Sequence, residues 1–123
     1  MKELTKAEEQ VMQVLWKLER AFVKDVLEEL PAPKPAYTTV STIIRILEQK
    51  GFVGYKAYGK SHEYYPLVSH DAYRKFITKD LLQQYFSGSI SNLVSHFASK
   101  EHLNAKELDE LLRILENIKK KKS

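Results

Sequence analysis

The sequence predicts a mostly α-helical chain with one small β-hairpin, an α+β fold, and three observations carry that expectation. Val40, Ile43, Ile44 and Leu47 recur at i, i+3, i+4 and i+7, the spacing that buries one stripe of a helix. Phe52, Val53 and Tyr55 lead into Ala57-Tyr58-Gly59-Lys60-Ser61, and Glu63-Tyr64-Tyr65-Pro66-Leu67 leads back, as in a hairpin with a basic tip. After Ser69 the strand signals stop and three helical patterns follow. Helix, short loop and polar-tipped hairpin is the layout of a winged helix-turn-helix DNA reader.

The elements follow in order. Thr5-Lys6-Ala7-Glu8 fits a capping box, opening a helix with Ala7, Val11, Leu15 and Leu18 along one side. Ala21-Phe22-Val23 is a short apolar stretch suited to pair with the hairpin as a third strand. A second helix runs from about Lys24 to Leu30, burying Val26, Leu27 and Leu30. Pro31, Pro33 and Pro35 forbid continuous helix there, since each lacks an N–H and restricts the residue before it. The third helix spans about 38–50, with Gly51 free to take the left-handed conformation that ends it. Tyr64 and Tyr65 alternate across the returning strand, so one is core and one surface.

Downstream, the first helix carries Tyr73, Phe76, Ile77, Leu81 and Tyr85, and Ser87-Gly88-Ser89 breaks it. The second has Ile90, Leu93, Val94 and Phe97 at helical spacing. Asn104-Ala105-Lys106-Glu107 starts the third, which carries Leu108, Leu111, Leu112, Leu115 and Ile118. So few residues bury too little surface alone, and pairing with a second copy is the usual remedy. The expected organisation is a DNA-binding domain over 1–68 and a helical dimerisation region over 69–123. Phe76, Leu93, Phe97, Leu108, Leu111, Leu112, Leu115 and Ile118 are its candidate contacts. A two-fold dimer would present two reading helices to an inverted repeat in double-stranded DNA.

Composition narrows the function. The 123 residues include no cysteine, which removes disulfides, thiolate metal sites and Cys nucleophiles together. His62, His70, His96 and His102 have no metal-like spacing, so no metal or other cofactor is expected. The four glycines are scattered, without a phosphate loop, and no nucleophile–base arrangement is recognisable, so an enzyme is not expected. No long uncharged apolar window and no signal pattern occur, so a soluble, cytoplasmic protein without membrane insertion is expected. Net charge is +4, and its placement matters more than its sum. Residues 1–30 carry five Lys/Arg against seven Asp/Glu; residues 31–66 carry five against two, around the third helix and hairpin. The run Lys119 to Lys122 reads as a solvated tail.

The candidate readers on the third helix are Thr38, Thr39, Ser41, Thr42 and Arg45. Hydroxyls bond phosphates or base edges, a Thr methyl packs on a thymine methyl, and Arg forks onto guanine. Thr and Ser are poor helix formers, and an ordinary surface would more often carry Glu, Lys or Ala. Thr39 has the alternative of capping the helix, and Tyr37 reaches backbone or packs under the proline turn. On the wing, about 56–62, the candidates are Lys56, Tyr58, Lys60 and Ser61.

These residues resemble a known family, the penicillinase repressors that control β-lactamase and methicillin-resistance genes. The resemblance runs from Leu4-Thr5-Lys6-Ala7-Glu8 and Val11-Met12-Gln13-Val14-Leu15-Trp16 through Thr39-Val40-Ser41-Thr42-Ile43-Ile44. It continues with Leu47, Lys50-Gly51-Phe52, Tyr65-Pro66-Leu67-Val68-Ser69 and Asn92-Leu93-Val94-Ser95-His96-Phe97. It implies a homodimeric repressor, released when a membrane sensor-protease signals an antibiotic and the dimerisation region is cleaved. By position the bond is His96-Phe97, where the best-known members have Asn before the Phe. The family often places Arg directly before the residue equivalent to Leu47; here that site is Ile46 and the arginine is Arg45. A copper-responsive branch uses cysteines this chain lacks. The rival expectation is a winged helix used as a protein-interaction module without DNA specificity.

Overall fold

In the computed structural model, which describes residues 1–99 and 104–122, Thr5 starts α1 (Lys6–Leu18). Its Oγ1 accepts the Glu8 N–H at 3.2 Å, and Glu8 Oε1 accepts the Thr5 N–H at 2.9 Å, so the reciprocal cap read from the sequence is formed. Val11, Met12, Val14 and Leu15 are buried beneath α1, and Glu19 leaves the helix at φ 69°.

Ala21 makes a single bridge to Tyr64, donating to its carbonyl at 2.9 Å and accepting its N–H at 2.8 Å. The expected third strand is reduced to that bridge. Val23 already belongs to α2 (Val23–Glu29), and the Phe22 N–H donates to Asp25 Oδ2 at 3.0 Å. The proline segment then delivers α3 (Tyr37–Gln49) from an Ala36 cap that has no side-chain bond. Thr39 therefore lies inside the first turn of α3 and does not cap it.

Val40, Ile44 and Leu47 are each 0% exposed, the stripe that the spacing requires. Gly51 takes φ 82°, and the Phe52 N–H reaches back to the Leu47 carbonyl at 2.9 Å. β1 (Val53–Tyr58) and β2 (Ser61–Pro66) pair antiparallel from Val53 opposite Pro66 to Tyr58 opposite Ser61. Gly59, at φ 63°, and Lys60 form the two-residue turn. Tyr64 is buried and Tyr65 exposed. Three helices, a bridging residue and a hairpin make a winged helix.

Three more helices follow, α4 (His70–Phe86), α5 (Ile90–Ser99) and α6 (Ala105–Lys122). Ser69 Oγ caps α4 by accepting the Ala72 N–H at 3.0 Å. By contacts the chain divides into two compact units, Met1–Ile77 and Thr78–Ser123, so the first turns of α4 belong to the amino-terminal unit. There the buried Tyr73 hydroxyl accepts the Leu4 N–H at 2.8 Å, and Phe76 and Ile77 pack against the amino-terminal core. Phe76, expected among the dimer contacts, takes that place because it lies one turn from Tyr73 on the same face. Trp16 donates its Nε1–H to the Val68 carbonyl at 2.9 Å and stacks on His70, ring centroids 4.5 Å apart.

In the second unit, Ser87 and Gly88 turn the chain at φ 52° and 76°. Ser89 Oγ caps α5 through the Asn92 N–H at 3.1 Å, and Asn104 Oδ1 caps α6 through the Glu107 N–H at 2.8 Å. Glu107 answers the Asn104 side-chain amide at 3.1 Å, so this cap closes between side chains. Leu82 is buried, whereas Tyr85 is 72% exposed and Ile90, Phe97, Leu112 and Ile114 are exposed too. Leu93, Leu108 and Leu111 are half-buried; the side chains of Leu115 and Ile118, and all of His102, lie outside the described residues.

A largely buried ion pair ties the start of α1 to the end of α3. Glu8, 5% exposed, accepts from Lys50 Nζ at 2.7 and 3.0 Å while holding the Thr5 N–H. Burial alone would raise its carboxyl, but the Lys50 and Thr5 hydrogen bonds and the Lys50 charge outweigh it and hold it below the ordinary glutamate value. A depressed acid stabilises the fold above its unfolded-state value, and that contribution is lost as pH falls through the lower folded value. Glu8→Gln is therefore expected to lose less stability than wild type on going from pH 7 to about pH 3. Urea midpoints at the two pH values measure this, and equal losses would refute it.

Candidate nucleic-acid interface

Helix α3 and the hairpin face one another across a cleft of about 1000 Å³, which the start of α2 also lines. At 3.6 residues per turn, Tyr37, Ser41, Arg45 and Glu48 fall on the side of α3 next to its buried stripe, and all four line the cleft. Thr38 and Thr42 lie further round on the exposed outer face. Thr42 Oγ1 donates to the Thr38 carbonyl one turn back at 2.9 Å, which leaves its methyl and oxygen lone pairs outward.

The hairpin contributes Tyr55, Tyr58, Lys60, Ser61, His62 and Tyr64 to the opposite wall. Tyr58 also meets Phe22, ring centroids 5.9 Å apart, and carries the Lys56 ammonium 5.3 Å above its ring. Burial, then the negative charge of Glu48, pushes the Tyr64 phenol above its ordinary value, so it stays a neutral hydroxyl at pH 7.

Of the ten residues expected at the interface, Tyr37, Ser41, Arg45, Tyr58, Lys60 and Ser61 share the cleft. Thr39 lies elsewhere, with Ile43, Ala7 and the proline turn around a smaller hollow of about 360 Å³. Tyr37 is exposed. Missed from the sequence were Lys24 and Asp25 at the start of α2, Glu48, and the hairpin residues Tyr55 and His62. Strand alternation could have found the last two, since both share the face of buried Val53 and Tyr64.

The cleft walls carry Lys24, Arg45 and Lys60 against Asp25 and Glu48. With threonine hydroxyls on the outer face of α3, this surface offers cations and the fork-shaped donors of Arg45 on a helix face too exposed to be core. Among the described residues no cluster of His, Asp or Glu could hold a metal ion, and no helix is long and apolar enough to cross a membrane.

A family model described as "Penicillinase repressor" matches residues 4–117. The methicillin resistance regulatory protein MecI of Staphylococcus aureus (strain N315) is 32% identical over 114 residues, covering 92% of this chain and 93% of the relative. The penicillinase repressor of Bacillus licheniformis is 27% identical over 125 residues, covering 98% and 94%. Among solved structures, the DNA-binding domain of the repressor BlaI superposes with TM-score 0.51 at 27% identity, over 59% of this chain and 94% of that domain.

Proposed function

The chain belongs to the penicillinase repressor family, and from that premise we propose that it is a homodimeric, sequence-specific DNA-binding transcriptional repressor. The observation that carries this reading is the exposed face of α3, where Thr38, Thr42 and Arg45 stand beside a hairpin bearing Lys56, Lys60 and Ser61. Helix α3 enters the major groove, where Arg45 meets a base edge and the hydroxyls meet bases or phosphates. The hairpin rests on the backbone, with Tyr37 at the helix start in reach of a phosphate. DNA as the partner sets the cytoplasm as the working compartment, and nothing in this role calls for a cofactor or a catalytic centre.

The helices after residue 69 join two copies, apart from the first turns of α4 that root in the amino-terminal core. Exposed Phe97 and Leu112, with half-buried Leu93, Leu108 and Leu111, supply the apolar surface. Two subunits then address two half-sites of an inverted repeat. Release follows cleavage of His96-Phe97 by a membrane sensor-protease. That bond lies inside α5 and both side chains are exposed, so a protease acts on it only when α5 opens locally.

Selection of bound duplexes from a random pool, followed by salt titration of the winner, tests the reading. An enriched inverted repeat, bound with a steep salt dependence, is expected. No enrichment with shallow or no binding would assign the surface to protein contact. On the selected duplex, Arg45→Ala is expected to weaken specific binding by about 1–3 kcal/mol without changing the fold, the worth of a good base contact. Unchanged affinity would remove Arg45 from base reading.

A further inference from the structure

His62 sits where the inner face of the hairpin leaves the core. The register sets Ala57 opposite His62 and Tyr55 opposite Tyr64, and strand alternation puts all four on the face of Val53. Val53 and Tyr64 are buried at one end of that face; His62, two residues further out, is half-buried and lines the cleft with Ser41 and Arg45. Its imidazole lies parallel to the Tyr55 phenol, centroids 4.1 Å apart and planes 5° apart, with the Tyr64 ring at 6.1 Å. Such a stack holds the ring in one orientation in either charge state.

We propose that His62 is a DNA-contacting residue of the wing that meets a backbone phosphate as the imidazolium, so that duplex binding takes up a proton. The inference deepens the DNA reading above and rests on it. Charged groups face His62 from each wall. Helix α2 supplies Lys24 and Asp25, whose Oδ2 already accepts the Phe22 N–H at 3.0 Å. Helix α3 supplies Arg45 and Glu48, with the Tyr37 phenol, and the hairpin supplies Lys60 with Tyr55, Tyr58 and Tyr64. Lys56 and Glu63 stand opposite one another in register on the other face of the hairpin.

Three cations against two carboxylates leave the cleft at +1, and a proton on His62 takes it to +2. Histidine is the ordinary side chain whose charge changes between about pH 5 and 8, whereas a phosphodiester keeps its charge across that range. The contact therefore switches on as pH falls. The remaining described histidines are engaged elsewhere. His70 stacks on Trp16, and His96 meets Phe86 and Phe97 edge-on.

The test follows binding of the full chain to a labelled duplex by anisotropy, at constant ionic strength, from about pH 8 down to about pH 5.5. The dissociation constant is expected to fall roughly three- to tenfold across that range. The slope of log K against log salt is expected to steepen by about 0.9 for each half-site, as one more phosphate is neutralised. His62→Gln should flatten both responses, and His70→Gln should leave both in place. A wild-type salt slope identical at the two pH values overturns the contact, as does a His62→Gln chain that keeps the pH response. Because the slope comparison uses wild-type protein, a variant that fails to fold does not shield the proposal. Duplex binding at pH 8 with a flat pH response overturns the His62 contact alone; no duplex binding at any pH overturns the DNA reading with it.

Discussion

Replacing Leu111 with aspartate is expected to turn the proposed dimer into monomers. Helix α6 places half-buried Leu111 next to exposed Leu112, so an aspartate there would enter the proposed subunit interface ionised and without a partner. An unpaired buried charge costs about 3–5 kcal/mol, which weakens the dimer by at least about 100-fold. Operator affinity should fall further than a single lost contact explains. With two joined subunits the second half-site is bound intramolecularly, a gain of about 10²- to 10⁴-fold that a monomer forfeits. Sedimentation velocity should show a monomeric mass with helix content unchanged, and Leu111→Met should stay dimeric. A dimeric mass for the aspartate variant at low protein concentration would overturn the assigned surface.

The second large effect belongs to the fold. Phe52→Ala is expected to cost about 3–5 kcal/mol, the usual range for truncating a buried phenylalanine. Phe52 is 1% exposed and meets Tyr73 edge-on, centroids 5.7 Å apart at 74°. Its backbone closes α3 through the Leu47 carbonyl and accepts the Leu67 N–H at 2.8 Å beyond the hairpin. Alanine keeps both backbone bonds, so the loss reports packing alone. Against a typical total of about 5–15 kcal/mol, such a loss is large, and the thermal midpoint should drop by at least about 10 °C. A loss below about 1 kcal/mol would mean that Tyr73 and its neighbours collapse into the space.

Much of the amino-terminal unit was legible because its signals are local. The helical stripe Val40, Ile44, Leu47, the Thr5–Glu8 cap and the Gly51 stop each depend on residues within one or two turns, and each is present. What escaped depends on distance along the chain. The Glu8 carboxylate looked complete as a cap, yet it also takes Lys50 from 42 residues away. Likewise Tyr73 serves Leu4 across 69 residues, and periodicity says nothing about such pairs. Local competition explains the shortened Ala21-Phe22-Val23 strand, because the Asp25 cap on Phe22 starts a helix where a strand would continue. In the cleft, α3 was read from its outward residues, while the wall nearest the core, with Glu48, Tyr55 and His62, needed the hairpin register to be seen.

Trp16 is the only tryptophan in the chain, and its surroundings make it a built-in optical gauge. Its indole is pinned through Nε1 to Val68, lies flat on His70 and sits 5.9 Å from the Tyr73 ring. Emission from that single indole, excited beyond the tyrosine absorption, reports the joint where α1, the exit of the hairpin and the root of α4 meet. Melting the winged helix carries the indole into water and shifts its emission to the red, whereas parting two intact subunits need not disturb it. The unlabelled protein would thus distinguish by colour the loss of its fold from the parting of the proposed dimer.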